Sequence, residues 1–167
     1  MSTAGAGSGV DIFVKIKGKH QGVIKGESMD SKHGGEIDVY SYTWDVVQPT
    51  DKSGSGLAAG KRVFGVFTFL MDTQSATPKL FTAATTGEVL EATFTCRKAG
   101  QEQQEYLIWT LTNGMITRID TGYLVPGKIT PHDQVSMTFR TITMTYREQQ
   151  AAGGLGGGIT FTDNWVI

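Results

Sequence analysis

Short runs in which apolar and polar residues alternate recur along most of this 167-residue chain, and they commit it to β-sheet. The cleanest is E-V-L-E-A-T-F-T-C-R at 88–97. Leu90, Ala92, Phe94 and Cys96 fall on one face of an extended strand, and Glu91, Thr93, Thr95 and Arg97 fall on the other. Comparable segments occupy 11–17, 36–47, 61–71, 88–98, 104–112, 115–121, 135–147 and 159–166, the pattern of an all-β sandwich or barrel. Asn113-Gly114 suits a type I′ hairpin, whose two central residues need positive φ, and Lys98-Ala99-Gly100 marks another turn. One helix interrupts the strands. In T-P-K-L-F-T-A-A-T-T-G, Thr77 fits the N-cap, Pro78 the first turn and Gly87 the C′ position. Leu80, Phe81 and Ala84 would cover an open part of the barrel, and so short a helix depends on that packing.

The segment H-D-Q-V-S-M-T-F-R-T-I-T-M-T-Y-R at 132–147 changes phase halfway. Val135, Met137 and Phe139 alternate with polar residues, Arg140 and Thr141 stand together, and Ile142, Met144 and Tyr146 resume out of step. Two adjacent polar residues between two alternating runs mark a β-bulge, which bends a strand and exchanges its faces. The six apolar residues then serve either two packed surfaces or one core around a corner. Other strands are apolar on both faces. Ile37 and Val39 oppose Tyr40, Tyr42, Trp44 and Val46, and Val63, Phe67 and Phe69 alternate with Phe64, Val66 and Leu70. A solvated antiparallel sheet has one polar face, and one short helix cannot cover this much sheet. The pattern predicts association, with Tyr40, Tyr42, Trp44, Ile142, Met144 and Tyr146 on faces that meet the core or another subunit.

Composition removes several classes. The net charge is -1, from 15 basic and 16 acidic residues with no basic run, so no nucleic-acid partner is expected. The single cysteine allows no internal disulfide, and Cys96, on an apolar face, reads as a buried structural thiol. His20, His33 and His132 sit in expected loops without metal-ligand spacing, and His33 reads as a solvated or capping residue. No G-x-S-x-G elbow occurs, and G-S-G-L-A-A-G-K-R lacks both the spacing and the hydroxyl of a phosphate-binding loop. The acid pairs Glu36/Asp38 and Glu102/Glu105 are of a kind common on exposed strands and turns. No catalytic residue, metal or cofactor is expected, and the chain reads as a non-enzyme. The N-terminus has neither the cationic nor the apolar region of a signal peptide, and no apolar run approaches membrane-spanning length. A protein made in the cytoplasm is expected, with a flexible arm at 1–10 and one domain at 11–167.

Several pieces, in order along nearly the whole chain, resemble the haemolysin-coregulated protein (Hcp) family, the tube-forming component of type VI secretion systems. D-I-F-V-K-I-K-G is similar to the family's first strand, I-K-G-E-S-M-D-S-K-H at 24–33 to its characteristic loop, and I-D-V-Y-S-Y-T-W to the strand that follows. D-T-Q-S-A-T-P-K-L-F-T-A-A-T-T-G resembles its short helix, R-K-A-G-Q-E-Q-Q-E-Y-L-I-W-T-L-T its turn and Glu-Tyr-Leu strand, and V-S-M-T-F-R-T-I-T-M-T-Y its late strand. The N-terminal arm and the H-Q-G-V segment are longer than the family's pattern, and I-T-F-T-D-N-W-V-I matches it only loosely.

The resemblance implies a mainly β fold: a partly open β-barrel of two antiparallel sheets with one short flanking helix, assembling as a ring. Six copies would close the ring and rings would stack into a hollow tube, with a contractile sheath around it, a spike protein at its tip and effector proteins in its lumen. The tube would assemble in the cytoplasm and then be secreted without a cleaved signal peptide. The loop at 48–62 is the expected ring-stacking element, with Leu57 as apolar tip and Asp51, Lys52, Lys61 and Arg62 for charge pairing. The alternatives are a phage-like tail tube protein and a monomeric carbohydrate-binding β-sandwich with Tyr40, Tyr42 and Trp44 as a sugar platform.

Overall fold

Leu90, Ala92, Phe94 and Cys96 are all buried, on a strand paired on both sides, as their alternation requires. The computed structural model describes residues 9–52, 54–99, 104–150 and 154–165. The expected arm as far as residue 8, Gly100 of the Lys98–Gly100 turn, and Glu102 lie outside them. The described strands are β1 (Val10–Gly18), β2 (Gly22–Ile24), β3 (Ile37–Val39), β4 (Ser41–Thr43), β5 (Val46–Val47), β6 (Val63–Phe64) and β7 (Phe67–Asp72). After helix α1 (Ala76–Thr86) come β8 (Leu90–Lys98), β9 (Glu105–Tyr123), β10 (His132–Thr138), β11 (Thr141–Gln149) and β12 (Leu155–Asn164).

Among the described residues all strand pairings are antiparallel, and the path β2-β1-β8-β9-β10-β7-β4 does not close into a barrel. Strand β9 serves two layers. Its first half pairs with β8 and β11, and its second half with β10. In the first layer the row Ile16, Ala92, Leu111 and Ile142 runs across β1, β8, β9 and β11 and is fully buried. Facing it, Phe67, Phe69, Met71, Val135 and Met137 supply the second layer's side of the same core. Ring contacts such as Phe67–Phe94 at 4.6 Å and Phe69–Phe94 at 5.3 Å join the two. The helix lies against β9 and β2, burying Ala76, Thr77, Leu80 and Ala83, and ends in Gly87 at φ 66°, the left-handed cap expected of glycine. No helix among the described residues is long and apolar enough to cross a membrane.

Several sequence expectations need correction. Asn113-Gly114 does not close a hairpin, because β9 runs straight through it and only Asn113, at φ 49°, has positive φ. Leu90 opposes Gly114 while Ala92 opposes Leu111, so β9 carries one extra residue, a bulge. Gly114 is required there, since a Cβ would sit 2.2 Å from the Thr138 carbonyl oxygen. The expected strand 135–147 breaks at the same corner into β10 and β11, where the Arg140 N–H donates to the Thr112 carbonyl. Segment 36–47 splits into β3, β4 and β5, and 61–71 into β6 and β7, because the chain passes from one sheet to the other within them. Ser75, not Thr77, is the N-cap. The Thr77 hydroxyl instead donates to buried Asp133, which Thr73 and Thr121 also satisfy.

Candidate assembly surfaces

The phase change at Arg140-Thr141 resolves as one core turning a corner. Val135, Met137, Phe139 and Ile142 are all buried in the same cluster, Met144 is half-buried and Tyr146 is exposed. The same holds for the aromatic run. Tyr42 and Trp44 pack onto the core that also takes Ile37 and Val39. The Tyr42 hydroxyl accepts from Trp109 Nε1 at 2.8 Å, and burial pushes its pKa up to about 12. Trp44 Nε1 donates to the Gly65 carbonyl, and its ring is packed among Phe64, Trp109 and Phe139. These rings are turned inward, which leaves no open sugar platform at Tyr42 and Trp44. Burial likewise pushes the Cys96 thiol up to about 11, as suits an inert structural residue.

Beyond that core the inner face of the first sheet runs on. The next row is Val14, Phe94, Trp109, Met144 and Phe161, and the one after it is Ile12, Cys96, Leu107, Tyr146 and Ile159. Its first members are covered, but Tyr146 is 42% and Ile159 73% exposed. They sit where, among the described strands, β12 pairs only with β11, so apolar side chains coincide with a strand edge that no other described strand covers. The opposite face is hydroxyl-rich: Thr93, Thr110, Thr143 and Thr162 form one row, and Thr95, Ile108, Thr145 and Thr160 form part of the next.

The loop expected at 48–62 is, in its described residues, the end of a hairpin built on β5 and β6. Thr50 bridges Ala58, the Asp51 N–H donates to the Leu57 carbonyl, and the Asp51 carboxylate accepts from Ser55. Leu57 is 69% exposed at the tip, and Lys52 and Lys61 are exposed. Arg62 is engaged at the base, donating from Nε and Nη2 to both oxygens of Asp163 at 2.6 Å, so it ties the hairpin to β12.

A charged clasp holds the segment 25–36. Arg97 is 4% exposed and donates to Asp11 Oδ2 and to both carboxylate oxygens of Asp30. Asp30 also accepts the N–H groups of Lys32 and His33, and Arg97 holds its pKa below the usual carboxylate value. His33, expected as a solvated or capping loop residue, is buried. Its Nδ1 lies 2.9 Å from Glu36 Oε2, its Nε2 2.6 Å from Glu105 Oε1, and its ring stacks on Phe13. His132, also expected in a loop, is buried at the start of β10 and stacks on Tyr40. Nothing local in sequence marks the His33 site, whose decisive partner lies on β9.

A family model described as "Type VI secretion system effector, Hcp" matches residues 13–146. Over 152 residues the chain is 36% identical to the curated Protein hcp1 of Pseudomonas aeruginosa, a match covering 89% of this chain and 90% of that one. The chain belongs to the Hcp family. Among solved structures it is similar to Hcp1 from Salmonella typhimurium, with a TM-score of 0.75, 33% identity, and coverage of 93% of this chain and 95% of that one. It is also similar to a type VI secretion system effector from Yersinia pestis, with a TM-score of 0.70, 28% identity, and coverage of 93% and 100%.

In this Hcp chain the clasp has a pH signature. Burial of the His33 ring opposes its charge, but the bonds to Glu105 and Glu36 outweigh burial and raise its pKa above the ordinary histidine value. A raised folded-state pKa stabilises fully below about pH 6.5, the unfolded value, and that contribution is lost as pH rises through the folded one. Above it, two carboxylates flank a neutral ring that can donate to only one. His33→Ala is therefore expected to cost about 1.5–3 kcal/mol at pH 6 and to flatten the stability profile on the alkaline side. Urea melts from pH 5 to pH 9 would show both, and a variant whose profile keeps the native slope would contradict the assignment.

Proposed function

We propose that this chain is the structural subunit of a type VI inner tube, not a catalyst. Six copies close into a ring, rings stack into a hollow tube, and the tube is assembled in the cytoplasm and expelled without a cleaved signal peptide. Its partners are further copies of itself, the spike protein at the tip, the contractile sheath, and effector proteins in the lumen. The observation that carries this reading is the apolar row running past the covered core through Tyr146 on β11 to Ile159 on β12, the edge strand among those described. Bare apolar side chains beside unpaired backbone groups favour sheet-edge association with another copy. Met144 and Ile142, on the same face of β11 as Tyr146, belong to the next two rows and lead into the core. The threonine face on the other side of the same sheet is then the lumen wall, wet and weakly selective, suited to varied cargo.

Stacking falls to the hairpin, through Leu57 with Asp51, Lys52 and Lys61, while Arg62 anchors its base. Exposed ion pairs contribute only about 0.2–1 kcal/mol each, so stacking is weaker than ring closure. Light scattering with negative-stain images of the same peak tests the whole reading: a sixfold mass with open rings is expected, and a clean monomer at micromolar concentration refutes it. Replacing residues 50–58 by two glycines is expected to keep the ring mass and abolish tubes. Intact tubes after that deletion would remove the hairpin from the stacking contact.

A further inference from the structure

The 25–36 segment is a strap fastened at three places. Within it the Gly26 and Ser28 N–H groups donate to the Gly35 and Glu36 carbonyls, and the Gly35 N–H donates back to Ser28. Glu27 ties its front to the start of α1, accepting the Ser75 N–H and donating its own to Gln74 Oε1. Asp30 ties the middle to Arg97. At the far end His33 stands between two carboxylates, Glu36 on the strap and Glu105 at the start of β9. The strap also walls a cleft of about 930 Å³, to which residues 25–29, Gly35, Tyr40 and Asp72 all contribute.

A carboxylate can only accept a hydrogen bond, and a neutral imidazole has a single N–H to give. Both His33 nitrogens lie against carboxylate oxygens, at 2.9 Å and 2.6 Å, so the fastened geometry calls for the doubly protonated ring. A neutral ring turns a lone pair toward one of them. We infer that His33 is a proton-operated latch: charged, it fastens the strap to β9, and on losing its proton it frees that end of the strap and widens the cleft. Glu105 is the carboxylate that leaves, since its side chain is 31% exposed against 19% for Glu36. The other charges around the ring are Asp30 and Lys32 on the strap, Asp11 on β1, Asp38 opposite Phe13 on β3, and Arg97 on β8. Arg97 is held by Asp11 and Asp30, and Lys32 is exposed, so neither cation replaces the lost proton. The raised pKa of His33 has the matching sign: the latch is shut below about pH 6.5, the ordinary value, and releases as pH climbs through the raised one. The lowered pKa of Asp30 keeps the tie to Arg97 shut over that range, which confines the release to the His33 end.

Amide exchange on the full chain reads the latch. Between pH 6 and pH 9, with rates corrected for intrinsic base catalysis, protection at Gly26, Ser28 and Gly35 should fall by about tenfold or more, the loss expected of a hydrogen bond to a charged group. Phe94, on a strand paired on both sides, should keep its protection over the same range. Nitrogen spectra of the ring should show both His33 nitrogens protonated at pH 6 and only one at pH 9. Glu105→Gln separates a latch from a merely structural histidine. An amide can donate as well as accept, so it satisfies either state of the ring, and this variant should hold strap protection within about twofold from pH 6 to pH 9. Level protection in the native chain would overturn the latch whatever the variant does. A native-like fall in Glu105→Gln would also overturn it, by placing the titrating group elsewhere.

Discussion

Arg97→Ala is expected to lose about 3–5 kcal/mol of unfolding free energy, the usual cost of removing one partner from a buried ion pair. The guanidinium is almost wholly buried and is shared between Asp11 on β1 and Asp30 in the 25–36 segment, with the Phe13 ring 4.9 Å away. Removing it leaves two carboxylates facing a void with no cation. For a chain of this length each kcal/mol shifts the midpoint by about 2–4 °C, so thermal melts should fall by on the order of 10 °C. Asp11 and Asp30 keep some solvent contact, with side chains 18% and 16% exposed, which places the expectation nearer 3 than 5 kcal/mol. Arg97→Lys should recover only part, because an ammonium cannot fork between two carboxylates. The variant also loses an acid limb. Asp30's folded pKa is lowered, so its contribution is present above the ordinary carboxylate value and lost as pH falls through the lowered one. That limb should vanish in Arg97→Ala. A loss below about 1 kcal/mol would mean that water replaces the guanidinium and that the clasp is not structural.

Period-two patterning exposed most of the strands, because a face that meets the core must be apolar at every second residue. It misled where the chain changes sheets. Val39 and Tyr42 fall on opposite phases, yet both serve one core, since the chain leaves β1 for β7 between them. Two apolar phases in one segment can therefore mark a crossing and need not mark a second covered face. Asn113-Gly114 misled for a related reason. The same residue chemistry suits a type I′ turn and a bulge, and what decides is the distant β10–β11 corner that bends alongside it. His33 was unreadable from its neighbours, because glycine and lysine around it suggest a loop while its Nε2 partner, Glu105, is 72 residues away and the ring it stacks on, Phe13, lies on β1. The hairpin tip was legible in composition, but its base was not. Arg62 looked available for a partner ring until Asp163, on the last described strand, was placed beside it.

Ile159→Asp is expected to dissolve rings without unfolding the subunit. The side chain is already 73% exposed in the single chain, so the substitution removes little core and should move the monomer's own melting point by no more than about 2 °C. In the proposed ring the same residue is repeated at six identical contacts. If an unpaired carboxylate costs about 2 kcal/mol at each, the ring as a whole loses about 12 kcal/mol, close to nine decades in its formation constant. Because ring closure is cooperative in six subunits, the concentration at which rings appear should rise about 50-fold. A concentration series by sedimentation would read that shift directly. Thr160→Asp, one residue away on the hydroxyl face assigned to the lumen, should leave the ring midpoint within about twofold. The pair separates the two faces of β12: equal loss of rings in both variants would mean a disturbed strand, and rings that survive Ile159→Asp at the native midpoint would mean that subunits meet elsewhere than at this edge.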